Sequence, residues 1–267
     1  METMHQNILP ILKKAGAAIM EVYADESKFN IELKSDNSPL TDADKQSNEI
    51  IIQYLSKHYP DIPIISEETK EASYAERKNY ERYFLIDPLD GTKEFIKRNG
   101  EFTINVAYLE DSSPVCGYVY VPVNGNTYYA ARGRGAFKID NDSSVIELRS
   151  KPFFLFDPNI KVVASRSHPD EQTERIISLL QNPEVVSAGS ALKFMLIAAG
   201  LAHFYPRLAP TMEWDTAAAQ CILEEAGGSV IRFDDLMPLT YNKENLLNTH
   251  FIAMGSLLDP ESLKKIL

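Results

Sequence analysis

Between Phe102 and Ile139 the chain carries four β-rich runs in close succession: FTINVAYLE, VCGYVYVPV, NTYYAA and RGRGAFKI. Turn residues separate them. The polar stretch from Asp111 to Pro114 breaks the first from the second, and Asn124-Gly125 joins the second to the third. Both positions of that Asn-Gly pair tolerate φ > 0, the requirement of a tight hairpin. Runs this short and this closely joined can only pair with their neighbours, so this stretch commits the chain to an antiparallel sheet.

Two helical patterns precede the sheet. Residues 5–24 place Ile8, Leu9, Leu12, Ala15, Ile19 and Val22 close to a 3.6-residue period. Residues 42–58 carry Ile50, Ile51 and Leu55 behind an acidic start. The stretch between them, IELKSDNSPLT, is polar and rich in turn formers. IPIIS and YFLID add two strands before Phe102. Helices packed on a mostly antiparallel sheet follow for this half.

The rhythm then changes. Residues 141–159 read as a polar, Pro-containing connector. Beyond it, KVVAS, EVVSAG, AHFYPR, SVIRF and FIAMG are short strand candidates. Helical patterns at 170–181, 190–201 and 214–226 alternate with several of them, and Gly227-Gly228 stops the last. Two domains are expected: an α+β domain over 1–150 and a smaller α/β domain over 151–267.

The 267 residues are 44% hydrophobic, enough for a sizeable core. No apolar stretch approaches the ~20 residues of a membrane span. The amino-terminal pattern contains Lys13 and Lys14 and no cleavage site, so it reads as an amphipathic helix and not a signal peptide. Cys116 and Cys221 are distant and have no metal spacing. Buried thiols in a reducing compartment fit them, which makes the cytoplasm the default location. The net charge of −11 argues against nonspecific nucleic-acid binding, although a local basic pocket or a bound cation can still seat an anion.

Carboxylates collect where apolar elements end. Glu67 and Glu68 follow IPIIS, Asp87 and Asp90 follow YFLI, Asp44 opens a helix after SPLTDA, and Asp215 stands in TMEWDTAAA. Hard oxygen ligands of this kind suit Mg²⁺ or Mn²⁺. In DPLDGT, Pro88 restrains a turn that can aim Asp87 and Asp90 at one cation site. Gly91 allows a ligand close to the backbone. The amides of Gly91 and Thr92 open a helix and form a phosphate seat. Each motif alone is also ordinary turn or helix-start chemistry. Their joint occurrence is what carries information.

SEE at 66–68, DPLDGT at 87–92, EWDTAA at 213–218 and the K-x-D-x-S-P-x-T-x-A-D pattern from Lys34 to Asp44 resemble, in order and rough spacing, the inositol monophosphatase superfamily of Mg²⁺-dependent, Li⁺-sensitive phosphatases. The resemblance spans nearly the whole chain and implies an αβαβα layered sandwich. It implies metal ligation by Glu67, Asp87, Asp90, Asp215 and the Leu89 carbonyl, with two or three Mg²⁺ ions and Mn²⁺ as a substitute. Asp44 and Thr92 would activate the nucleophilic water, and Glu68 would stand behind the ligands.

GSALKF at 189–194 and FYPRLAPTMEWD at 204–215 look like the 3′(2′),5′-bisphosphate nucleotidase branch, which removes the 3′-phosphate of adenosine 3′,5′-bisphosphate. Gly91, Thr92, His168, Gly189, Ser190, Lys193 and Arg207 would then contact substrate. Arg207 stands near the point where the inositol enzymes usually carry a Glu, and its fork suits a second phosphate. The rival readings are an inositol monophosphatase or sugar bisphosphatase, or a non-catalytic metal- or nucleotide-binding protein. The branch also implies clearance of a sulfate-assimilation by-product. The sequence leaves open a monomer or a homodimer, and peripheral attachment to the inner membrane.

Overall fold

The computed structural model describes residues 2–25, 29–34, 39–70, 72–164 and 171–267. Two helices lead, α1 (Glu2–Tyr23) and α2 (Asp42–His58), separated by the two-residue strands β1 (Glu32–Leu33) and β2 (Pro39–Leu40), which pair antiparallel. Strands β3 (Ile64–Ser66), β4 (Arg82–Asp90), β5 (Thr103–Glu110), β6 (Ser113–Tyr120), β7 (Thr127–Ala131), β8 (Ala136–Ile139) and β9 (Val145–Leu148) form one seven-stranded sheet in sequence order. Only its β3–β4 pair is parallel. The short helices α3 (Tyr74–Arg77) and α4 (Thr92–Ile96) flank β4 in the chain.

The second sheet is built from β11 (Lys161–Val163), β12 (Glu184–Val186), β13 (Phe204–Arg207), β14 (Ser229–Arg232) and β15 (Phe251–Met254), in the order β12-β11-β13-β15-β14. The β10 (Pro152–Phe153) and β16 (Ser256–Leu257) segments pair beside it. Helices α5 (Glu171–Ser178), α6 (Leu192–Ala198) and α7 (Glu213–Glu225) complete the fold, with a 3₁₀ turn at Pro260–Lys265.

Five layers follow from the two-residue alternation of strand side chains. On β4, Phe84 and Ile86 point to one face and pack with Ile8, Leu12 and Ile51 of α1 and α2. Tyr83 and Leu85 point to the other face, into a central core with Phe194 and Ile197 of α6 and Ala218 and Ile222 of α7. The small sheet repeats the device. Tyr205, Phe251 and Ala253 face this central core. Phe204, Ile252 and Met254 face the outer core of Ile176, Leu263 and Ile266. The order helices, sheet, helices, sheet, helix is the expected αβαβα sandwich. Close contact in its middle requires Gly117, where an added Cβ would lie 2.2 Å from the Ala218 carbonyl oxygen of α7.

Two local expectations change. The β6–β7 hairpin is not a two-residue turn. The ladder closes at Tyr120–Thr127, and of the Asn-Gly pair only Gly125 has positive φ. Hydrogen bonds from Gly125 N to Val121 O and from Val121 N to Asn126 O make a wider loop. The connector at 141–159 is also more ordered than its composition suggests, since it contains β9 and β10. β9 is an edge strand with Val145 and Ile146 exposed, so it lacks the buried alternation that marks a strand in sequence.

Candidate active site

β4 carries Asp87 and Asp90 to the edge of the large sheet. Three residues apart on a regular strand, they would point to opposite faces. Here Asp87 stands opposite Asn105 and Asp90 opposite Thr103, so the span from 87 to 90 holds one residue more than its partner. This bulge inverts the alternation. Leu89 falls on the α1–α2 side, leaving both carboxylates to face α7. The bulge is fixed from two sides. Leu89 N donates to Asp87 Oδ1 at 3.0 Å, and Ser47 Oγ of α2 donates to the Pro88 carbonyl at 2.7 Å.

Asp215 arrives on the first turn of α7, where Met212 N donates to its Oδ2 at 2.9 Å. Ligating oxygens of Asp87, Asp90 and Asp215 lie within 4.8 Å of one another. Asp87 is almost fully buried. Burial and then the neighbouring carboxylates push Asp87 and Asp215 well above the usual carboxylate range. Among the described residues no Lys or Arg forms an ion pair with these three. Three converging hard oxygens without an ion-paired side chain fit a divalent cation.

Glu67 and Glu68 stand differently. Lys34 Nζ lies 2.6 Å from Glu67 Oε1 and 2.5 Å from Glu68 Oε1. Glu67 lines the same cleft as Asp87 and Asp215 but is outside the three-carboxylate cluster. Burial raises its pKa, opposed by Lys34. Burial pushes Glu68 up to about 7, again opposed by the Lys34 hydrogen bond.

Asp44 is buried at the start of α2. Its Oδ2 accepts from Thr41 N at 2.7 Å and Thr41 Oγ1 at 2.5 Å, and its Oδ1 accepts from Thr92 Oγ1 at 2.9 Å. Burial raises its pKa, while the hydrogen bonds from Thr41 and Thr92 hold it back. Thr92 Oγ1 also lies 3.3 Å from the Leu89 carbonyl. It has one proton, and the shorter contact directs that proton to Asp44. The Thr92 lone pairs are thereby left to accept from a water.

A cavity of about 450 Å³ contains Glu67, Asp87, Leu89, Thr92 and Trp214. A second, of about 730 Å³, is lined by Gly189, Ser190, Lys193, Tyr205 and Arg207 together with Lys93 of α4 and Lys97 just after it. The two share Asp90, Gly91, Lys93, Glu94, Thr211 and Asp215, and so form one cleft. Gly91 has φ +95°, and a Cβ there would meet the Glu101 carbonyl at 3.2 Å. Lys193 is held by the Ser190 carbonyl at 3.2 Å, and burial lowers its pKa. Arg207 Nη2 donates to the Pro210 carbonyl at 3.2 Å, while its Nε is buried without a hydrogen-bond partner.

The sequence-derived residues are thus brought to one cleft, apart from three. Glu68 sits behind it with Lys34, and Asp44 reaches it through Thr92. His168 lies outside the described residues. Several contributors were given no role by the sequence. Glu213 is fully buried and accepts from Asn242 N, Lys243 N and Lys243 Nζ, tying the 240–243 loop beside Asp215. Thr103 and Asn105 stand behind Asp90. The alternation of FTINVA offered one hint, since two polar side chains sit on a strand otherwise buried on both faces.

The five-layer sandwich, with a carboxylate cluster on the sheet edge that faces α7, defines a metal-dependent phosphatase fold. The inositol monophosphatase family profile matches residues 1–264, and the chain belongs to that family. It is 42% identical to the 3′(2′),5′-bisphosphate nucleotidase CysQ of Salmonella typhimurium over 227 residues, covering 85% of this chain and 89% of the relative. It is 39% identical to CysQ of Escherichia coli K12 over 249 residues, covering 93% and 98%. The crystal structure of CysQ from Bacteroides thetaiotaomicron superposes with a TM-score of 0.81 at 40% identity, covering 95% of this chain and 97% of that one.

Proposed function

We propose that the protein hydrolyses the 3′-phosphate of adenosine 3′,5′-bisphosphate, giving AMP and phosphate. One observation carries this reading. The carboxylate cluster opens directly into a cleft that holds Lys193 and Arg207, and Asp90 and Asp215 belong to both parts. A substrate with one phosphate at the carboxylates and another at the cations fits that arrangement. An inositol phosphate offers only hydroxyls to this wall, where the half-buried cations Lys193 and Arg207 have no charge to match. The names of the relatives support the same substrate.

Asp87, Asp90 and Asp215, with Glu67 and the Leu89 carbonyl, would hold Mg²⁺, two or three ions in all, with Mn²⁺ able to replace it. Such ions supply charge stabilisation at the phosphate and at the departing 3′-oxygen. Thr92 accepts a hydrogen bond from water, and its own proton is held by Asp44 Oδ1 at 2.9 Å. As the water attacks phosphorus, its proton passes to the Thr92 oxygen and the Thr92 proton moves to Asp44, while the P–O3′ bond breaks and the 3′-oxygen takes a proton from solvent. The Gly91 and Thr92 amides bind the phosphate oxygens. Gly189, Ser190, Lys193 and Arg207 form the nucleotide side, and His168, outside the described residues, would add a contact by resemblance.

The chain divides near residue 150 in this reading. The first part carries the ligands other than Asp215, and the second carries the nucleotide contacts. Lithium inhibition, a cytoplasmic location and a role in sulfur metabolism accompany the proposal. Among the described residues no helix is long and apolar enough to cross a membrane.

The test is phosphate release, with Mg²⁺ present, from adenosine 3′,5′-bisphosphate, inositol 1-phosphate and fructose 1,6-bisphosphate side by side. A strong preference for the nucleotide is expected. A preference for either sugar phosphate would reject the substrate and leave the metal cluster standing.

A further inference from the structure

We propose that Ser190 is a positioning residue of the metal centre, holding the Asp90 carboxylate in its ligating orientation and linking it mechanically to the nucleotide side of the cleft. The proposal rests on the reading of Asp87, Asp90 and Asp215 as ligands. It gives Ser190 a different task from the substrate contact its motif suggested.

Three donors converge on one oxygen. Asp90 Oδ2 accepts from Ser190 Oγ at 2.6 Å, Ala191 N at 2.9 Å and Asn105 Nδ2 at 3.2 Å. A carboxylate oxygen has about two lone pairs, so three donors saturate it. Oδ1 is the oxygen left for a cation. The proton pattern behind this contact is determined. An ionised carboxylate only accepts, so Ser190 must donate to it, and Asn105 must turn its Nδ2 towards it. Asn105 Oδ1 then faces Thr103 Oγ1 at 2.8 Å, and Ser190 Oγ lies 2.6 Å from the same Thr103 hydroxyl. Thr103 and Asn105 are almost fully buried. Asn105 Oδ1 can only accept, so the single Thr103 proton goes to it, and this turns Asn105 Nδ2 towards Asp90.

The segment that carries Ser190 has little freedom to relax. Ser190 has φ +52°, a left-handed conformation that L side chains seldom adopt. The preceding Gly189 packs so closely on Glu101 that an added Cβ would lie 2.5 Å from its carbonyl oxygen. The Ser190 carbonyl in turn accepts from Lys193 Nζ at 3.2 Å. One chain of contacts therefore runs from Asp90 through Ser190 to Lys193. A cation that fixes Asp90 also fixes the start of the nucleotide wall, and by reciprocity a ligand on that wall strengthens cation binding.

Mn²⁺ binding to substrate-free protein, followed by electron paramagnetic resonance, tests this without turnover. Ser190→Ala and Ser190→Gly should both weaken Mn²⁺ binding about tenfold, within the range for partners of metal ligands. The glycine variant relieves the backbone at the same time, so an equal effect assigns the loss to the hydroxyl. Thr103→Val should weaken binding about threefold by the same route, and Thr103→Ser should retain the wild-type affinity. The Mg²⁺ concentration for half-maximal turnover should rise in parallel with the Mn²⁺ constant. Unchanged Mn²⁺ affinity in both Ser190 variants, with a raised KM for the nucleotide, would overturn the proposal and make Ser190 a substrate contact. Unchanged Mn²⁺ binding in Asp90→Asn and Asp215→Asn would instead remove the metal reading beneath it.

Discussion

Asp44 and Asp215 occupy the same position on two different helices. Each is the third residue of the first turn, and each accepts a hydrogen bond from the backbone N–H of its N-cap residue, Thr41 at 2.7 Å and Met212 at 2.9 Å. The helix start thus holds one oxygen of each carboxylate, while the other is free to serve the cleft. The positive end of the helix dipole favours the charge in both cases.

This geometry separates catalysis from stability at Asp44. Asn at that position still offers an oxygen to Thr41 N–H but cannot take a proton from Thr92. Asp44→Asn should lower kcat by roughly 10²–10⁴-fold. Its melting temperature should stay within about 3 °C of wild type, since a retained cap limits the loss to about 1 kcal/mol. Thr92→Val should show a comparable kcat loss. Wild-type turnover in Asp44→Asn would remove the assignment of Asp44 as proton acceptor.

Arg207 reads a charge. Its side chain lines the cleft, where the guanidinium fork can meet an anion. Arg207→Glu should reduce kcat/KM for adenosine 3′,5′-bisphosphate by at least roughly 10- to 100-fold, the value of a charged hydrogen bond or two. Steady-state kinetics with adenosine 3′-monophosphate provide the control, which should change much less. Equal losses on both would place Arg207 outside phosphate recognition.

Metal-free stability should fall as the pH rises. Burial and mutual repulsion raise Asp87 and Asp215, and burial raises Glu68 to about 7. Between the unfolded carboxylate values near pH 4 and these raised values, the folded state binds more protons than the unfolded state, so the derivative of stability with pH is negative. Thermal melts in chelator should therefore show a lower melting temperature at pH 8 than at pH 5, by roughly 3 °C or more. Mg²⁺ should raise it more at pH 8, and its binding should release protons. A metal-free melting temperature that rises across this range would contradict the buried carboxylate cluster.

Arg77 is a structural anchor for the site. It is buried and donates to the Ala72, Lys243 and Glu244 carbonyls and to Asn242 Oδ1, while Asn242 Nδ2 donates to the Arg77 carbonyl. This ties α3 to the loop that Glu213 holds beside Asp215. Arg77→Met leaves several buried acceptors without donors and should cost about 3 kcal/mol, read from urea unfolding. Loss below about 0.5 kcal/mol would mean that water replaces it.

The elements with strong periodicity were legible in the sequence. α2 begins and ends at the residues its pattern marked, and β3 and β11–β15 fall within their apolar runs, while β4 continues past YFLID through the expected turn to Asp90. The carboxylates were legible because each ends an apolar element. Two kinds of feature were not. Val145 and Ile146 on the edge strand β9 are exposed, and an edge without a buried face has no periodic signal. DPLDGT suggested a turn that aims Asp87 and Asp90 at one site, but the bulge that does so, and the sheet face it chooses, depend on pairing with β5. Likewise, Ser190, Asn105 and Asp90 are brought together by contacts across 100 and 15 residues, beyond any motif.

The most direct measurement compares kcat/KM for adenosine 3′,5′-bisphosphate and adenosine 3′-monophosphate under saturating Mg²⁺. The two share a scissile bond and differ only in the phosphate assigned to Lys193 and Arg207. The account predicts a preference for the bisphosphate of at least about 100-fold, from two charged contacts. Equal values for the two would contradict it, since the cation-lined half of the cleft would then contribute nothing to choosing the substrate.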